Sequence, residues 1–235
     1  MTDPKTFDFW YAVNNTEVVL MPSGRLETFG STVLHYHLVS ELMDTVNQVR
    51  VREGRLKAGQ PAIVTPEAYS RIVLEGFGEE ASNYIDWLKE HEKEIRVLQY
   101  GYTLRRESFS EHIISDNLKS VVERVKAEVK ERNDPLSAVL VGVDLPWDVC
   151  LIKLFREVIQ RSAPHNVREL QKRRLFDDQD GLPRGVREQI DADFLHASRD
   201  STFIKALAHK LQQMGVFEEY QDRFFSLVKA SKRQG

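Results

Sequence analysis

Two histidines one residue apart, His35 and His37, are the first side chains in the chain able to share a metal ion. On a strand such residues point to one face; on a helix they lie about 200° apart and cannot converge. The same stretch carries a second pattern. His37, Glu41, Asp44 and Gln48 recur at helical spacing and form one polar stripe. A histidine with two carboxylates in that arrangement is a donor set found in helical bundles, and metal-assisted hydrolysis is the chemistry it would support. His112 and Asp116 would add ligands from a second helix. An ordinary solvated helix face has the same composition, and no recognised metal motif contains these residues.

The single cysteine, Cys150, would need an electropositive, partly exposed setting to act as a nucleophile with His165 and Asn166. Its neighbours Trp147, Leu151, Leu154 and Phe155 are apolar, so the expected role is a small buried hydrophobe. Asp177-Asp178-Gln179-Asp180-Gly181 looks like part of a calcium loop. With Gly181 as the loop glycine, the first ligand position falls on Phe176 and the last on Arg187, and neither binds calcium. Gly76-Phe77-Gly78 reads as a turn. The sequence holds no phosphate loop, dinucleotide fingerprint, nucleophile elbow or zinc-protease helix, so no cofactor is expected.

Two basic clusters are left. Arg50, Arg52, Arg55 and Lys57 form one; Arg168, Lys172, Arg173 and Arg174 form the other. Guanidinium groups grip phosphates with two parallel hydrogen bonds, so either cluster could contact nucleic acid or an anionic partner. Such contact requires at least two guanidinium groups on one open surface. Pairing with Asp or Glu would make them structural instead. Cations are also favoured near helix C-termini for purely local reasons.

The elements that must position these groups follow from periodicity. Glu17–Met21 and Arg25–Phe29 flank Pro22-Ser23-Gly24 and read as a hairpin. Ala62-Ile63-Val64 is a short strand candidate. Leu98, Tyr100, Tyr102 and Leu104 alternate as in a half-buried strand. Between Ser31 and Gly54 the patterns compete. Leu34, Tyr36 and Leu38 alternate, but Val39, Leu42, Met43, Val46 and Val49 are spaced by three and four, which predicts a helix from about Thr32 to Glu53. Further helices are predicted from Thr65 to Glu75, Glu79 to Glu92, Asp116 to Arg132 and Trp147 to Arg161. Asn166 reads as the cap of another. Near the end, Phe203, Ile204, Leu207 and Leu211 make one stripe, Gly215 breaks the helix, and Phe217, Tyr220, Phe224 and Val228 make a second.

Early strands and late helices predict an α+β fold: a small N-terminal antiparallel sheet packed with helices, then a mostly helical C-terminal half. The expected division is a main domain over 1–176, an acidic linker over 177–185 and a helical unit over 186–235. The chain has 235 residues, 41% hydrophobic and 29% charged, so it can bury a core without disulfides. A net charge of −3 argues against a surface built throughout for nucleic acid. The opening Met1-Thr2-Asp3-Pro4-Lys5 lacks the features of a signal peptide, and no run approaches the roughly 18 apolar residues of a membrane helix. A cytoplasmic, non-membrane protein is expected. Its function is expected to be non-enzymatic binding or regulation through a protein partner or a second copy. Phe217, Tyr220, Phe224 and Phe225 are the candidate interface, because aromatics are enriched at interface cores. Hydrolysis through His37, Glu41 and Asp44 is the first alternative, and anion or nucleic-acid binding through the arginines the second.

Overall fold

The computed structural model describes residues 4–42, 45–63, 73–91, 100–179 and 181–231. The helices are α1 (Pro4–Asn14), α2 (Glu79–His91), α3 (Leu118–Arg132), α4 (Trp147–Lys172), α5 (Arg184–Arg199), α6 (Ile204–Gln213) and α7 (Phe217–Ser231). The strands are β1 (Glu17–Leu20), β2 (Thr32–Glu41), β3 (Gln48–Ala58), β4 (Ala62–Ile63), β5 (Val73–Glu75), β6 (Tyr100–Gly101), β7 (Thr103–Ser115), β8 (Ser137–Gly142), β9 (Asp178–Gln179) and β10 (Leu182–Pro183). The class is α+β, with helices dominating the C-terminal half.

The chain forms two compact units. The first takes the described residues up to 61, then 73–91 and 102–167; the second takes 62–63, 100–101 and those from 168 onward. The first unit is built on a six-stranded sheet in the order β1-β8-β2-β3-β7-β5. It is mixed rather than purely antiparallel, because β8 runs parallel to β2 and β5 parallel to β7.

The predicted helix over Thr32 to Glu53 is instead the hairpin of β2 and β3, paired from Thr32↔Ala58 to Glu41↔Val49. The spacing of three and four spans a turn. Val39 and Val49 are buried on the sheet, whereas Val46 is 89% exposed in the turn, beside Asn47 at positive φ. Strand alternation is hidden because the sheet is covered on both faces, so every residue from Tyr36 to Ser40 is buried. On one face Val121, Val122, Val125 and Val129 of α3 meet Val39, Val49, Val51 and Val139. On the other lies α4. Gly142 is the position that lets it approach, since a Cβ there would stand 2.7 Å from Cys150 Sγ and 2.9 Å from a Leu38 methyl.

The C-terminal half of the α4 stretch within this unit replaces the other predicted boundaries. Asn166 does not begin a helix. It lies inside α4, fully buried, donating to Tyr102 Oη at 2.9 Å and accepting from Thr28 Oγ1 at 3.1 Å. Ser162 Oγ accepts from the Leu26 amide at 3.0 Å. The loop after β1 is thus bonded to α4, and no strand forms over Arg25–Phe29. β1 pairs with β8. Lys153 Nζ donates to the carbonyls of Val13 and Thr16 at 2.9 and 2.6 Å, which caps the end of α1 with a cation, as the helix dipole favours. The predicted helix from Thr65 falls largely outside the described residues, and its end, Val73–Glu75, is β5. Leu98 also lies outside them.

In the second unit, α5, α6 and α7 pack on one another. Tyr220 stacks on Phe194 at 5.9 Å, and Phe224 meets Phe217 at 5.5 Å. Gly215, at φ +69°, ends α6 as expected. Within the segment expected to be an acidic linker, β9 pairs with β10, and Arg184 N donates to Asp177 O at 2.9 Å.

Asn166→Ala is expected to cost about 1–3 kcal/mol, because it removes two buried hydrogen bonds and takes the acceptor from the buried Thr28 hydroxyl. Urea unfolding of the variant against the wild type measures this, and an unchanged midpoint contradicts the clamp. Cys150→Ala removes a small apolar contact and the sulfur that accepts from Thr16 Oγ1 at 3.1 Å, and is expected to cost about 1–2 kcal/mol. In native buffer Cys150 should react slowly with thiol reagents, because it is fully buried and burial raises its pKa.

Candidate functional site

Each of the first cluster's three arginines sits on β3 and meets a carboxylate. Arg50 Nη1 donates to both Asp144 oxygens at 2.9 and 3.0 Å. Arg52 donates to Glu111 Oε2 from Nε at 3.0 Å, and its Nη2 lies 2.8 Å from Asp144 Oδ1. Arg55 Nε lies 3.0 Å from Glu107 Oε2. Arg52 is only 2% exposed. Arg50 and Arg52 are thus paired and largely enclosed, whereas the paired Arg55 keeps 54% of its side chain exposed. In the second cluster Lys172 pairs with Glu169 and Arg174 with Asp177; Arg168 and Arg173 are exposed on α4 and just beyond it.

The metal reading rested on a helix that does not form. On β2, His37 and Glu41 share a face but stand about 13 Å apart, too far for one ion. Asp44 lies outside the described residues. His35 and His37 do share a face, yet each is engaged separately. His35 Nδ1 is 2.5 Å from Asp134 Oδ2, and His37 Nδ1 is 3.1 Å from Glu53 Oε1, off the direction of a hydrogen bond. Among the described residues no three His, Cys, Asp or Glu side chains gather as a metal site. His112 lies on β7, not on a helix.

Nucleophilic arrangements are also broken by geometry. Cys150 and His165 lie fifteen residues apart on one helix, about 22 Å along its axis. Asp134 Oδ2 accepts from Ser137 Oγ at 2.8 Å as well as meeting His35. In this trio the serine hydroxyl faces the carboxylate rather than the imidazole, so the serine–histidine bond of a nucleophilic triad is not made.

What the fold does assemble is an arginine and aromatic cluster that period-two reading misses. In the pairing of β3 with β7, Gly54 faces Phe109 and Leu56 faces Arg106, so β7 carries one extra residue there. That bulge puts Arg106 and Phe109, three apart, on the same face. Trp147, at the start of α4, completes the group. Its ring lies 4.9 Å from Phe109, 4.9 Å from Arg52 Cζ and 4.7 Å from Arg106 Cζ. Arg106 also lies 5.5 Å from Phe109 and 5.8 Å from Phe77. Beneath them is Tyr36, fully buried. Burial pushes its pKa up to about 12, against the pull of Arg106 and Arg52. Its hydroxyl makes no hydrogen bond. Gly54 makes room for it, since a Cβ there would lie 2.6 Å from Tyr36 Oη.

The second unit has a groove of about 280 Å³ lined by Asp193, His196, Phe203, Ala206, Leu207 and Lys210. Its two opposite charges, Asp193 and Lys210, are bonded to each other. Of the candidate interface residues, Tyr220 and Phe224 are buried within this unit, whereas Phe225 is 46% exposed.

The His37 titration differs in sign from that of an ordinary histidine paired with a carboxylate. Burial holds the His37 pKa below its usual 6.5, outweighing Glu53, and Arg132 and His35 push the same way. The unfolded chain therefore binds this proton more readily than the native one. Stability should fall as pH drops below about 6.5, down to the depressed native value. Burial raises the Asp134 pKa, but bonds from the Leu136 amide, Ser137 and His35 together hold it below 3.8, so its contribution is lost only in stronger acid. His37→Gln should remove the slope that begins near 6.5 and keep the more acidic one. Urea midpoints measured across the range check this, and an unchanged profile contradicts it. No family model, curated protein or solved structure matches this chain.

Proposed function

We propose that the protein is a non-catalytic binding protein that engages a protein partner by extending its sheet at the edge of β7. The observation that supports this reading is the exposure of that strand. β7 is 13 residues long, but β5 pairs only with Thr103–Arg105. Every residue from Ser108 to Ile113 is exposed, including Phe109 at 41% and Ile113 at 53%.

A strand edge offers a row of N–H and C=O groups to another chain, and proteins normally guard it with lysine, proline or a bulge. β7 has a bulge near Glu107 but neither lysine nor proline. Backbone pairing would supply affinity. Phe109, Glu111 and Ile113, alternating on one face, would supply selectivity. The free, buried thiol of Cys150 is compatible with the cytoplasmic location that this reading proposes.

A photoreactive residue at Ile113 should give cross-links in cells, to another protein or to a second copy. The same residue at Glu123, an exposed site on α3 at 64% side-chain exposure, should give few. A Phe109→Lys substitution should remove the adducts formed at Ile113. Equal labelling at the two positions contradicts the edge as the docking surface.

A further inference from the structure

We propose that Arg106 is the seat of a small oxyanion, a phosphate or carboxylate group, with the Tyr36 hydroxyl as second donor and the Phe109 and Trp147 rings as its wall. The inference starts from unmet hydrogen bonds. A guanidinium has five N–H donors in its plane, and aromatic contacts occupy its faces rather than its edges. Arg106 is half-buried against Phe77, Phe109 and Trp147, and no carboxylate, hydroxyl or carbonyl accepts from it among the described residues. Its neighbours differ. Arg52 is matched by Asp144 and Glu111, Arg50 by Asp144, and Arg55 by Glu107. Asp148, the other carboxylate here, accepts from the Gly78 amide at 2.5 Å. Among the described residues Arg106 is therefore the arginine of the cluster that no carboxylate meets.

The second unmet group is Tyr36 Oη, fully buried and without a partner. A buried hydroxyl left unpaired costs about 1–3 kcal/mol, and such groups recur where a ligand or water belongs. The two lie together. A Cβ placed on Gly54 would be 2.6 Å from Tyr36 Oη and 2.8 Å from Phe109 Cβ, and Phe109 is in turn the ring beside Arg106. Phe109 is also the exposed member of the cluster, so it is the side chain whose rotation opens the hydroxyl to an incoming group. An anion there would accept from the Arg106 edge and from Tyr36 while its organic part rests on Phe109. The argument for this site does not rest on the edge pairing proposed above, although Phe109 takes part in both.

The test is titration calorimetry of the whole protein with three separate probes: inorganic phosphate, benzoate and adenosine monophosphate. Saturable binding of at least one probe is expected. Arg106→Gln should weaken it by roughly tenfold or more, and Tyr36→Phe by several-fold, with unfolding midpoints recorded for both. Arg106→Lys, which keeps the charge and loses the fork, should fall between wild type and Arg106→Gln. Tighter binding of benzoate or the nucleotide than of phosphate supports the aromatic wall and names the ligand class. No saturable binding by any probe overturns the proposal, as does a folded Arg106→Gln protein that binds like the wild type.

Discussion

A fully charged arginine in the middle of a sheet is the constraint around which the first unit is arranged. Arg52 lies on a central strand at 2% exposure. A buried guanidinium is tolerated only where acceptors meet it, since its desolvation costs several kcal/mol. Its acceptors come from different places: Glu111 on the neighbouring strand β7, and Asp144 in the turn that leads from β8 into α4. Asp144 also binds Arg50, so one carboxylate ties two arginines of β3 to the entry of the helix covering that face. Trp147 begins that helix and lies against the same guanidinium. Register, turn and helix entry are thereby coupled through a single buried charge.

That coupling explains what the site can and cannot do. Arg50 and Arg52 are consumed in holding the sheet to its helix, so they are poor candidates for releasing a carboxylate to bind phosphate. The β7 bulge brings a further arginine to the same aromatic ring without giving it a carboxylate. On the far side of that strand the sheet ends in exposed residues. The functional potential of this unit therefore lies where the internal compensation stops: at Arg106 and along the edge that begins just after it.

Much of the helical half was legible from residue pattern. The stripes at Leu207, Leu211, Tyr220 and Phe224 are buried, and Gly215 ends its helix where a left-handed residue is required. Cys150 was legible too, because its neighbours are apolar. The β2–β3 hairpin was not. A sheet covered on both faces loses the alternation by which strands are recognised, and chance spacing across the turn imitates a helix. The arginines of β3 then looked like a helix end. Asn166 misled for a related reason: the side chain of a helix cap and of a buried clamp is the same, and only the distant partners Tyr102 and Thr28 distinguish them. Arg106 and Phe109 share a face through a bulge, which no fixed period reveals.

A double-mutant cycle on Arg52 and Asp144 tests the central constraint directly. Arg52→Met leaves Asp144 short of a cation, and Asp144→Asn leaves Arg52 and Arg50 short of an anion; either alone should cost about 3–5 kcal/mol in urea unfolding. If the buried pair organises the sheet, the double variant loses less than the two together, with a coupling of about 1–3 kcal/mol. Losses that add within about 0.5 kcal/mol would mean that the two residues act independently, and would contradict the account.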